Sequence, residues 1–102
     1  MLKDQFTSDL DFFFNSDEHA SEHNIDGNII IVIEDNDQLV KRSKLEYSGV
    51  IVGDLLYYAK VSDFLTRPKP DEVQTYDGNP YTVFDCRDDE GVYEIILKGA
   101  FS

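Results

Sequence analysis

Basic residues are scarce in this chain. Nine Lys and Arg stand against 21 Asp and Glu in 102 residues, a formal charge of −12. Affinity for nucleic acid rests on Lys and Arg neutralising phosphates, so direct binding to a phosphate backbone is disfavoured. Cysteine is nearly absent: Cys86 has no second cysteine to pair with, which excludes an intrachain disulfide and suits a reducing compartment. There is no Trp. The longest aliphatic run, Ile29 to Ile33, falls far short of the roughly 20 apolar residues a membrane-spanning helix needs. The opening stretch MLKDQFTSDLD turns acidic at once, unlike a signal peptide. The sequence holds no G-x-S-x-G, P-loop, G-x-G-x-x-G or paired-cysteine pattern, which removes the usual sequence marks of acyl transfer, nucleotide binding and thiol redox chemistry.

What is present suits one small folded domain spanning residues 1–102. Seven Phe and six Tyr bring large buriable areas to a chain that is 41% hydrophobic. Leu2, Phe6, Leu10 and Phe13 recur at helical spacing, so residues 2–14 are expected to form a helix with one apolar face. Ser16 is positioned to cap a second helical turn over residues 17–22, completing an N-terminal helical element over 1–22. The remainder, 23–102, reads as a β core. Asp26-Gly27 is a turn, and Asn28 to Glu34 is a buried strand. Residues 38–46 hold three of the nine basic residues, and the stretch from about 35 to 46 is expected to be an exposed, flexible loop. Tyr47–Val52 and Leu55–Val61 are strand-like, Ser62–Leu65 is a helical turn, and Arg67-Pro68-Lys69-Pro70 is a rigid turn that cannot lie inside a sheet. Val73–Tyr76, an Asp77-Gly78 hairpin turn, Tyr81–Asp85, an Asp88–Gly91 turn and Val92–Leu97 complete a β-meander. The expected fold is mainly β, a small barrel or sandwich with an N-terminal helix.

Several short patterns carry possible chemistry. His19-Ala-Ser-Glu-His23 matches the H-x-x-E-H arrangement in which two imidazoles one helical turn apart hold zinc beside a glutamate base. Its polar surroundings and the lack of a third ligand at a fixed place favour plain surface histidines. Asp35-Asn36-Asp37 opens like a calcium loop, but Leu39 and Val40 stand where a ligand and a glycine are needed. Cys86 reads as a small strand residue with no adjacent base. Tyr57, Tyr58, Tyr76 and Tyr81 are interleaved with acids, which suits packing better than base stacking. No metal, cofactor or catalytic residue is expected.

Three stretches match a known pattern of segments: FNSDEHASEHNIDGNIIIVIED at 14–35, GDLLYYAKVSDFLTRPKP at 53–70, and DEVQTYDGNPYTVFDCRDDEGVYEIIL at 71–97. Together they cover most of the chain and resemble the small head–tail joining (head-completion) proteins of long-tailed phages and prophages. The resemblance implies a structural role without catalysis. Copies would associate as a ring beneath the portal or its adaptor in the virion, after synthesis in the host cytoplasm, and the tail would dock on that ring. DNA would pass through without being held. The expected contact residues are Gln38, Lys41, Arg42 and Lys44 in the 35–46 loop, Arg67 and Lys69 in the proline turn, and Phe6 and Phe13 in the N-terminal helix. Deleting 38–46 is expected to leave a folded protein that no longer joins heads to tails. The alternative is an acidic DNA mimic that inhibits a basic host protein, although the carboxylates are scattered among turns and form no stripe.

Overall fold

Strands rich in Ile, Val and Tyr, separated by short acid–glycine pairs, dictate antiparallel hairpins. The computed structural model describes Phe14, residues 18–50 and residues 53–99. It contains β1 (Ala20–Ile25), β2 (Asn28–Glu34), α1 (Asn36–Glu46), β3 (Leu55–Lys60), a 3₁₀ turn (Val61–Asp63), β4 (Val73–Tyr76), β5 (Asn79–Asp89) and β6 (Val92–Gly99). The strands close into a barrel in the order β1-β2-β3-β6-β5-β4, and every neighbouring pair is antiparallel.

The hairpin turns at Asp26-Gly27, Asp77-Gly78 and Glu90-Gly91 each take positive φ at both central residues. That is the requirement of the type I′ turn, whose twist matches that of the strands it joins. The meander is broken once. β3 and β4 are not neighbours, so residues 61–72 cross one end of the barrel, the end that also carries the Asp26-Gly27 and Glu90-Gly91 turns. Phe64 anchors this crossing by packing edge-on against Tyr93, 5.4 Å between ring centres.

The barrel interior is filled by Ile25, Ile30, Val32, Leu55, Tyr57, Ala59, Tyr76, Val83, Cys86, Tyr93, Ile95 and Leu97. The Tyr57 hydroxyl, fully buried, donates to Gln74 Oε1 at 2.5 Å, so the polar atoms taken inside are paired. A smaller cluster lies outside the barrel wall, where Leu39 of α1 meets Leu56 and Ile96 beside Tyr58 and Phe84. A β-bulge between Val83 and Asp85 sets which β5 residues face which way. The extra residue, Phe84, reverses the inside–outside alternation, so Cys86 joins the interior and Asp85 faces the helix.

The structure departs from the sequence expectations in four places. Residues 20–25 form a strand, because the Asp26-Gly27 turn draws them against β2 in unbroken register from Ala20↔Ile33 to Ile25↔Asn28. Tertiary pairing there overrides a polar, helix-compatible pattern. Residues 36–46 form a helix and not a flexible loop. Asp35 caps it by accepting from Gln38 N at 3.0 Å, and Leu39, Arg42 and Ser43 share one buried face. With those three inside, the 38–46 segment is part of the folded structure and cannot be deleted neutrally. Tyr47–Val50 is no strand, since Ser48 and Gly49 both take positive φ and turn the chain. The meander, finally, is interrupted by the crossing. The expected N-terminal helix lies outside the described residues except for Phe14, which is helical and fully buried.

Gly53 sits where the chain enters β3. An added Cβ would stand 2.5 Å from Ile96 Cγ2 and 3.0 Å from the Leu97 carbonyl oxygen. Gly53→Ala should therefore destabilise the fold by about 1–3 kcal/mol, read as a lowered urea midpoint with an unchanged denaturant slope.

Candidate functional site

Three polar or concave features stand out from the barrel. The first fastens α1 to its wall. Arg42 is 3% exposed. Its Nη1 donates to Glu94 Oε2 at 2.7 Å, its Nη2 to Asp85 Oδ2 at 2.6 Å, and its Nε to Glu46 Oε2 at 3.0 Å. Arg87 adds contacts to Glu46 and, through Nε, to Asp85 at 3.3 Å. Gln38 Nε2 lies 3.4 Å from Glu94 Oε1. Burial alone would lower the Arg42 pKa. The hydrogen bonds to Asp85 and Glu46 and the field of Glu94 reverse that and hold the guanidinium above its ordinary value. Hydrogen bonds from Arg87 and Arg42 in turn hold the Glu46 carboxyl below its usual range.

The second feature closes the barrel. β1 and β4 share a single paired position, Ile25↔Tyr76, because their two hairpins meet tip to tip. Side chains supply what the ladder lacks. Asp77 accepts from His23 Nδ1 at 2.6 Å and from Asn24 N at 3.0 Å. Asp26 Oδ1 accepts from Thr75 N at 2.8 Å, and the Tyr76 hydroxyl donates to Glu34 at 2.6 Å. His23 stacks on Tyr76 with 4.9 Å between ring centres. Its Nε2 lies 2.7 Å from Ser21 Oγ and 3.8 Å from Glu34.

Ser21, His23 and Asp77 thus stand in the order of a nucleophile, base and orienting acid. The sequence reading missed this set, because it placed residues 17–22 on a helix. The signal was the Ser-x-His alternation, which puts both side chains on one face of a strand. The lining of the cleft described below includes Ile25 and Asp26 but neither Ser21 nor His23. The arrangement performs the closing task at the seam. The same element dissolves the H-x-x-E-H pattern, since His19 lies in the turn before β1 and Glu22 and His23 lie on the strand, where neighbouring side chains point to opposite faces. Among the described residues, no group of three His, Cys, Asp or Glu side chains is placed to hold a metal ion.

The third feature is a cleft of about 490 Å³ between the crossing segment, the β1–β2 hairpin and β4. Ile25, Ile30 and Val83 reach it from the core, while Ile29, Leu65 and Val73 stand exposed at its rim. Asp26, Asp63, Glu72 and Arg67 supply the charge. Arg67 of this lining donates to the carbonyl of Cys86, a core residue whose thiol burial pushes up to about 11, above the range of a nucleophile at neutral pH.

The residues expected to contact partners fall on separate elements. Lys41 and Lys44 are exposed on α1, whereas Gln38 and Arg42 face the barrel wall. Arg67 lies on the crossing and donates from Nη2 to the Cys86 carbonyl at 2.7 Å. Lys69 is exposed on the same segment, its backbone N–H bonded to Glu72 at 2.8 Å. Phe6 and Phe13 lie outside the described residues.

No protein-family model matches the sequence, and no curated protein matches it. Among solved structures the chain is similar to the ATP-binding sugar transporter-like protein from Salmonella typhimurium, at 18% identity and a TM-score of 0.52. The likeness covers 96% of this chain and 92% of that one, so it extends over the fold as a whole.

Two predictions test the clasps. Arg42→Ala takes its guanidinium from Glu94 and leaves Glu46 and Asp85 to Arg87 alone, and should cost about 1–3 kcal/mol, measured by chemical denaturation at neutral pH. Asp77 is different in kind. Its bonds from His23 and Asn24 lower its folded pKa. The stabilisation is therefore complete above the ordinary carboxylate range and is lost as pH falls through the lowered folded value. The stability difference between wild type and Asp77→Asn should hold near pH 7 and narrow below about pH 4. A constant difference down to acid unfolding would show that the charge on Asp77 plays no part.

Proposed function

We propose that the protein is a structural, non-enzymatic assembly component that joins the DNA-filled head of a long-tailed phage to its tail, as a ring subunit at the head–tail connector. The observation that carries this reading is the grouping of exposed apolar side chains around the crossing segment, at one end of a closed barrel otherwise rich in carboxylates. Ile29 is 63% exposed, Val73 65% and Leu65 fully so. Apolar side chains gathered at one place on a monomer mark a surface that a partner covers. The three sequence stretches that resemble head–tail joining proteins supply the partner class: portal or adaptor on one side, tail on the other, and further copies around the ring.

The rest of the molecule suits that role. A closed barrel leaves few strand edges to pair indiscriminately, so copies stay apart until they meet the particle. A charge of −12 favours solubility before assembly and lets DNA pass without adhesion. Lys41 and Lys44 on α1 and Lys69 on the crossing are exposed cations that can meet neighbouring proteins, while Arg67 on the same crossing also donates to the Cys86 carbonyl. Gln38 and Arg42 contribute by holding α1 in position. The name of the structural neighbour mentions ATP, but the cleft here opposes a triphosphate, with Asp26, Asp63 and Glu72 against Arg67. The site of action in this reading is the virion, reached from the host cytoplasm.

The test is reconstitution. Purified protein is added to DNA-filled heads that lack it, with free tails of the same phage, and infectious particles are counted. The expected result is a rise in titre that depends on the protein. No rise, with heads and tails of proven competence, would contradict the reading and favour an acidic inhibitor of a basic host protein.

A further inference from the structure

Six large apolar side chains are exposed among the described residues: Ile29, Val40, Leu45, Val50, Leu65 and Val73. Single exposed apolar residues are ordinary on any protein surface. Here Ile29, Leu65 and Val73 come from three different elements and border the same cleft, whose inner wall includes Ile25, Ile30 and Val83 of the core. A ligand entering it would meet apolar surface at both depths.

Two further observations define the occupant. β4 pairs with β1 only at Tyr76, so at Val73 no described strand covers the outer edge of β4. An uncovered strand edge beside an apolar surface favours an extended chain, which presents every second side chain to one side, over a compact small molecule. The charge decides the rest. Asp26, Asp63 and Glu72 outnumber Arg67 at the rim, so its net charge is negative; Arg67 donates to the Cys86 carbonyl, and Asp26 and Glu72 each accept one backbone N–H. A second copy would bring the same −12 charge, and a nucleic acid would bring phosphates; both are opposed by this rim.

We infer that the cleft between the 61–72 crossing, the β1–β2 hairpin and β4 receives an extended segment of a partner protein, in which apolar residues at alternate positions are flanked by Lys or Arg. The apolar side chains would cover Ile29, Leu65 and Val73, and the flanking cations would meet Asp26, Asp63 and Glu72. This deepens the joining reading, on which it rests for where such a partner is found.

The test uses the full chain, labelled with ¹⁵N, and a short synthetic peptide with valines at alternate positions, serines between them and a lysine pair at each end. The expected result is a set of amide shifts confined to Ile29, Leu65, Val73 and their neighbours. Leu65 is fully exposed, so Leu65→Asp should leave the fold unchanged while weakening the peptide about tenfold. A glutamate-flanked peptide should not bind. Equal binding by Leu65→Asp, or the same shifts from a peptide with serines in place of the valines, would overturn the inference. So would self-association that Leu65→Asp abolishes, which would make a second copy the occupant. The reconstitution of heads and tails separates this inference from the reading beneath it. If wild type and Leu65→Asp join equally well, docking at the cleft fails and joining stands. If the peptide binds at the cleft but wild type joins nothing, the cleft stands and joining fails.

Discussion

Arg42 carries its charge to a place where water does not follow, and Glu46, Asp85 and Glu94 meet it there. In a chain with 21 acids and nine bases, bringing Glu46 of α1 against Asp85 and Glu94 of the barrel wall requires a cation among them. A lysine would satisfy the charge but not the geometry, because only a guanidinium sends donors in three directions in one plane. The helix is set by this junction and by Leu39 on Leu56 and Ile96. The β5 bulge is set to match, since without the extra residue Asp85 would point into the core and Cys86 out of it. Helix, bulge and ion cluster therefore form one unit, and a change at any of them is felt at the other two.

The opposite problem arises at the β1–β4 seam. There the backbone supplies one paired position and two hydrogen bonds, Asp26 N to Thr75 O and Asp77 N to Asn24 O, and the closure is completed by the Asp26 and Asp77 carboxylates reaching across to backbone N–H groups and by His23 stacked on Tyr76. Both aspartates are also first residues of their hairpin turns, in left-handed conformation. The residues that turn the chain are thus the residues that bind the two hairpins together, which explains how a short ladder can close a barrel. The staggered meeting of the hairpins also leaves Val73 uncovered and opens the cleft beneath the crossing.

Much of this was legible in the sequence. The isoleucine run of β2, the Asp77-Gly78 hairpin and the last two strands follow from alternation and turn chemistry that act over a few residues. The errors share a cause. β1 has the polar composition of a surface helix and becomes a strand only because β2 lies beside it. α1 carries Leu39 as its one large buried apolar residue, and its other inward positions, Arg42 and Ser43, look solvated until the partners from β5 and β6 are known. The cleft was illegible for the same reason: Ile29, Leu65 and Val73 are distant in sequence and become neighbours only when the chain crosses the barrel end. The alternation of Ser21 and His23 was visible, but its meaning depended on assigning a strand.

The clasped helix, the side-chain seam and the acid-rimmed apolar cleft are the features on which the proposed joining role rests. In the proposed role this cleft is covered by a neighbouring protein in the assembled particle. The most direct measurement is electron cryo-microscopy of purified virions, with wild-type protein located by its barrel. The account predicts a ring of copies between head and tail, each with Ile29, Leu65 and Val73 covered by an extended segment of a neighbouring protein. Particles that lack the protein at the joint, or that hold it with the cleft open to solvent, would contradict it.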